Sequence, residues 1–119
     1  MARAQILIDA GISVREAHGI AGTFNAAVTA AGSDQAGATL LTYDNNLITT
    51  ASEDQGVRLP SFNAGTMWVV NGAAVTVFVY PPTSAKLNNA PVNVPLLLPP
   101  QGGAIFKPIS TTQYLVVHT

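Results

Sequence analysis

Apolar residues in this chain arrive in short bursts broken by Gly, Pro, Asn and Asp, and few bursts leave room for a helix. The two strongest are residues 67–70 (MWVV) and 75–80 (VTVFVY), which flank Asn71-Gly72. β-Branched and aromatic residues favour strands, and Asn-Gly is the pair that best tolerates the positive φ of a type I′ turn. Residues 65–82 are therefore expected to form a central β-hairpin, stopped by Pro81-Pro82, which cannot donate to a sheet ladder. Alternation leaves both faces of that hairpin apolar, with Thr76 the clear polar exception. A sheet wetted on one side alternates more cleanly. One face is thus expected in the core, and the other against the N-terminal segment or a sister subunit.

The rest of the chain repeats the same texture. Residues 38–43 and 47–50 read as strands around Asp44-Asn45-Asn46, and Glu53-Asp54-Gln55-Gly56 makes a second turn before residues 57–59 and the break at Pro60. Residues 85–87 are a brief strand ended by Asn88-Asn89. Residues 92–98 form a strand-like stretch interrupted by Pro95, and are expected at a sheet edge or bulged. After the turn Pro99-Pro100-Gln101-Gly102-Gly103, residues 104–109 and 114–118 form a final hairpin. Strands spaced about 8–12 residues apart predict an all-β fold, an antiparallel β-sandwich or small barrel of jelly-roll-like kind. Nothing recurs at a fixed period, so a solenoid is not expected.

Upstream the pattern is mixed. Residues 3–8 and 12–14 read as short strands or an extended arm. Thr23 is placed to cap a short helix carrying Phe24, Ala27, Val28 and Ala31 on one face. The domain reading is an N-terminal arm or extension over residues 1–33, with no core of its own, and a β-sandwich domain over residues 34–119.

Composition changes the picture in one respect. Only 9% of the 119 residues are charged, against about a quarter in ordinary soluble domains. Hydrophobic residues make up 48% and the formal net charge is −1. No apolar run approaches the ~20 residues of a spanning helix, and the hydrophobicity excludes a disordered chain. A folded protein with much of its surface hidden in an assembly fits both numbers. The five basic residues, Arg3, Arg15, Arg58, Lys86 and Lys107, are scattered and leave no footprint for nucleic acid. There is no cysteine for a disulfide or thiolate site. The apolar run Ile6-Leu7-Ile8 is too short for a signal-peptide core, so folding in a cytosol is expected.

Candidate chemistry is sparse. His18 and His118 stand near opposite ends of the chain, and the Glu16/His18 pair lacks an orienting third group. Asp44 with Asn45 and Asn46, and Glu53 with Asp54, are oxygen-rich, but the alternate acidic spacing of a calcium loop is missing, and solvated turns explain them. Gly19-Ile20-Ala21-Gly22 has no basic surroundings, and neither G-x-S-x-G nor a phosphate-binding glycine loop occurs. Trp68, Phe78, Tyr80 and Tyr114 are candidates to line a sugar-binding face, although strand aromatics more often belong to a core. No catalytic, cofactor-binding or metal-binding residue is therefore assigned, and the chain is not expected to be an enzyme.

From Gln35 onward the chain resembles a small β domain of tailed-bacteriophage virion proteins, notably capsid decoration (cement) proteins and head or tail fibres. The residues that carry the resemblance are Gln35-Ala36-Gly37-Ala38-Thr39-Leu40-Leu41, Gly56-Val57-Arg58-Leu59-Pro60, Val69-Val70-Asn71-Gly72, Val79-Tyr80-Pro81-Pro82, Lys86-Leu87-Asn88, Ala104-Ile105-Phe106 and Tyr114. It covers about two-thirds of the chain and leaves residues 1–33 outside. The resemblance implies a virion protein on the capsid surface, assembled in the bacterial host cytoplasm. Its implied partners are the major capsid protein and copies of itself in a homotrimer, with no cofactor, nucleic acid or membrane. The alternative it implies is a head- or tail-fibre domain that binds a host surface glycan.

Overall fold

The computed structural model describes residues 23–61 and 65–118. Within them the chain is all-β, with ten strands in two sheets. They are β1 (Phe24–Thr29), β2 (Thr39–Leu40), β3 (Asn45–Thr50), β4 (Gly56–Arg58), β5 (Met67–Asn71), β6 (Val77–Tyr80), β7 (Lys86–Leu87), β8 (Leu96–Leu98), β9 (Gly103–Ser110) and β10 (Gln113–His118). The larger sheet has the order β1-β3-β5-β9-β10-β7 and the smaller β2-β4-β6-β8. The strand candidates at residues 3–8 and 12–14 lie outside the described residues.

The chain changes sheet at every step from β1 to β9. Through β6, neighbours in one sheet are therefore two strands apart in sequence, and β1–β3, β3–β5, β2–β4 and β4–β6 all pair in parallel. Parallel neighbours cannot be joined by a tight turn, and here each crossover carries a strand of the opposite sheet. This corrects the expected antiparallel arrangement: the sheets are mixed. Antiparallel pairing is confined to β5–β9, β9–β10 and β6–β8. The first six strands wind as a short coil whose turns are about twenty residues long, a regularity of backbone rather than of residue identity.

The central hairpin is likewise corrected. β5 and β6 belong to different sheets, and both edges of β5 are already taken, by β3 and β9. Neither Asn71 nor Gly72 has positive φ, so no type I′ turn forms. Asn71 is instead fully buried and acts as a joint. Its Nδ2 donates to Val75 O at 2.8 Å and to Leu98 O at 2.9 Å, and its Oδ1 accepts from Ala73 N at 2.9 Å. Its main chain is held by Gly102 O and Gln101 N, while Gly72 N donates to Ile48 O. An Asx-type bond of this kind competes with the local turn, and here it ties the crossover to β8.

Elsewhere the sequence pattern holds in part: Asn45 and Asn46, expected with Asp44 in a solvated turn, open β3 instead, and Asn46 is buried. β6 stops at Tyr80, before the prolines; β8 is an edge strand beginning directly after Pro95; and β9 and β10 form the final hairpin. Pro108 is tolerated in β9 because it lies beyond the pairing with β5, next to an irregularity in the β9–β10 register. The expected helix after Thr23 is a strand, and Val28 and Ala30 enter the core. One core joins the two sheets: Ile48, Met67, Val69, Phe106, Tyr114 and Val116 from the larger, and Val57, Val77, Val79 and Leu98 from the smaller.

Candidate interaction surface

Alternation fixes what the larger sheet shows on its other side. With Met67, Val69, Phe106, Tyr114 and Val116 inward, Trp68, Val70, Ile105, Leu115 and Val117 must point outward. The register aligns them. Phe24 sits beside Asn45, Asn45 beside Trp68, Trp68 beside Ile105, and Ile105 beside Val117, one row across five strands. That row spans about 19 Å. A second row runs from Leu47 through Val70 to Gly103, and a third pairs Lys107 with Leu115.

The result is an apolar face in contact with water. Phe24 is 62% exposed, Val117 63%, Leu115 46% and Leu47 38%. Its charges, among the described residues, are Lys107 and, on the β7 edge opposite Gln113, Lys86. Five strands and about three outward positions on each give roughly 400 Å² of face, in which the apolar side chains are interspersed with Asn45, Thr49, Gly103 and Lys107; the largest apolar patch on a protein is of this order and often functional. One N–H near its centre, Trp68 Nε1, is shielded and has no hydrogen-bond partner.

The smaller sheet is dressed differently. Its outward Tyr80 is buried, packed edge-on against Phe78 with ring centroids 6.2 Å apart. Tyr80 lies over Gly56, where an added Cβ would come within 2.8 Å of its ring and 2.6 Å of Phe78 O. Burial, with smaller contributions from Asp34 and Asp54, pushes the Tyr80 hydroxyl pKa above its usual value. Tyr114 bridges the layers from the other side. Its hydroxyl donates to Pro60 O at 2.6 Å, and burial pushes its pKa up to about 12.

Among the described residues, those weighed for chemistry do not converge. His18, Glu16 and residues 19–22 lie outside the described residues, and His118 ends β10 beside Ala104. Asp44 is structural: its carboxylate accepts from Thr23 N at 3.1 Å, and its amide donates to Thr23 Oγ1, tying the start of β1 to that of β3. Glu53-Asp54 sits in a turn closed by Gln55, with Asp54 at φ 66. No group of three or more metal-ligating side chains forms among the described residues. Of the four aromatics weighed for sugar stacking, Tyr80 and Tyr114 are buried and Trp68 and Phe78 half-buried; none is exposed. No helix among the described residues is long and apolar enough to cross a membrane.

The outer row across the larger sheet is what sequence reading missed. The apolar character of both faces of residues 67–80 was its visible trace, but the contributions of Phe24, Leu47, Leu115 and Val117 depend on strand order. No known protein family, curated protein or solved structure matches the chain.

Proposed function

We propose that this chain is a structural virion protein of a tailed bacteriophage. It binds the outside of the capsid through the major capsid protein, associates with itself as a homotrimer, and stabilises the shell. The observation that carries the reading is the apolar outer face of the six-stranded sheet, of the size at which the largest apolar patch on a protein is often functional. The low charge content supports it from composition, and the order of short motifs from Gln35 to Tyr114 supports the viral setting. At the finer level the fold is read as a β-sandwich, and the N-terminal arm or extension expected over residues 1–33, part of which is β1 of the larger sheet, is read as engaging a neighbour through the segment that precedes β1.

The action is mechanical. A protein that binds only the expanded shell adds its binding free energy to that state and opposes disassembly. Repetition over many equivalent sites makes modest single contacts effective. The fibre alternative has no exposed member among Trp68, Phe78, Tyr80 and Tyr114 to favour it. Light scattering of the purified chain, followed by co-sedimentation with expanded heads of the parent phage, tests the proposal. A trimer that sediments with heads is the expected result; a monomer at all concentrations that ignores heads overturns it.

A further inference from the structure

Two motifs that stand far apart in sequence, Arg58-Leu59-Pro60 and Tyr80-Pro81-Pro82, run side by side in the smaller sheet, with Arg58 opposite Tyr80. Together with Leu40 of the edge strand β2 they enclose an open groove of about 530 Å³ lined by Leu40, Arg58, Pro60, Ser61, Pro82 and Thr83. A groove of that volume falls in the range of ligand-binding clefts.

The groove is built before anything enters it. Pro60 is held by Tyr114 Oη, Pro81 by Gln35 Nε2 at 2.8 Å, and Leu59 N donates to Tyr80 O. Proline walls have little freedom to lose on binding, which favours a preformed site. Arg58 is half-buried as a residue, and its guanidinium has no hydrogen-bond or ion-pair partner among the described residues. Its five donors match a carboxylate in a two-pronged contact. Among the described residues the two-residue β2 has a strand on one side only, and an open strand edge is where an extended peptide adds by main-chain hydrogen bonds.

We propose that this groove binds an extended peptide segment carrying a carboxylate, with the carboxylate on Arg58, apolar side chains against Leu40 and the prolines, and the backbone along β2. The site is independent of the assembly reading, because it lies on the smaller sheet and the apolar face lies on the larger.

The test is an NMR titration of the isotope-labelled protein with acetyl-Val-Leu-Asp-Val-amide, its Asn counterpart, and sodium acetate. Saturable shifts at Leu40, Arg58, Ser61 and Thr83 are expected, with the Asp peptide binding about tenfold or more tightly than the Asn peptide. Arg58→Gln should bring the Asp peptide down to the affinity of the Asn peptide. Equal affinities in the wild-type protein, or no shifts up to about 10 mM peptide, overturn the proposal without reliance on a variant. Acetate binding as tightly as the Asp peptide would reduce the groove to a bare anion site and overturn the peptide assignment. Shifts confined to the outer face of the larger sheet would do the same.

Discussion

Asn71→Ala should be the most damaging single truncation of a polar side chain in this protein. The substitution removes the partner of three main-chain groups, Val75 O, Leu98 O and Ala73 N. The bonds to Leu98 and Ala73 are fully buried, and the one to Val75 is partly so. An orphaned buried group costs about 1–3 kcal/mol, so three of them give a loss of roughly 4 kcal/mol. A chain of this length has a total stability of roughly 6–18 kcal/mol. Urea unfolding at fixed protein concentration, followed by fluorescence of the single tryptophan, Trp68, measures the effect. With a slope of about 2 kcal/mol per molar urea, the midpoint should fall by about 2 M. Asn71→Asp adds a test of the geometry. A carboxylate facing two carbonyl oxygens has its pKa raised above that in the unfolded chain. The added destabilisation is therefore full at neutral pH, and the deficit against wild type should shrink as pH falls toward about 4. A loss for Asn71→Ala below about 1 kcal/mol, no larger than that of the exposed control Asn89→Ala, would refute the role of the joint.

Other substitutions probe different links. Tyr114→Phe deletes the bond to Pro60 O and should cost about 1–2 kcal/mol in the same urea assay. Because burial raises the Tyr114 pKa from 10.0 to about 12, ionisation opposes folding: its stabilisation is intact below pH 10 and lost as pH rises toward 12. Alkaline unfolding of the wild type should show this decline, and Tyr114→Phe should flatten it. Gly56→Ala should destabilise by about 1–3 kcal/mol, because the new methyl group would press on Phe78 O, a backbone atom with little room to yield; an unchanged thermal midpoint would contradict the packing described. Val117→Lys, at an exposed position of the apolar row, should leave urea unfolding of the dilute protein within about 0.5 kcal/mol of wild type while abolishing concentration-dependent growth in light scattering. Undiminished association would remove that face from the interface.

Strands were legible in the sequence; their partners were not. Residues 104–118 were readable because a hairpin is a local object. Pro81 marked the end of β6, and Pro95 the edge position of β8, for reasons of backbone chemistry that do not depend on context, although the strand expected over 92–98 is reduced to Leu96–Leu98. Asn71-Gly72 misled because turn propensity describes what a dipeptide can do, whereas the side chain of Asn71 was claimed by Leu98, far along the chain. β1 was mistaken for a helix for a related reason: register shifts on either side of Val28 break its alternation and leave a spacing that imitates a helical face. The coil of parallel neighbours left no residue-level period, since stacked positions such as Phe24, Asn45 and Trp68 share a place in the sheet and no side-chain chemistry. The groove was half visible, as two motifs noted separately that only strand pairing brings together.

The alternation of the chain between sheets also sets the order in which the molecule can be completed as it leaves the ribosome. When β6 has been synthesised, β5 and β6 each have one open edge, and the strands that close them, β9 and β8, are still to come. For β5 the wait is about thirty residues of translation, a few seconds at ordinary rates. An unfinished apolar edge is a template for another nascent chain, so the growing polypeptide is most exposed to misassociation just before its last third appears. Only the closing hairpin is quick to form on its own, and its arrival supplies the missing edge of β5. A chain truncated before β9 should therefore aggregate rather than fold to a smaller version of the same protein.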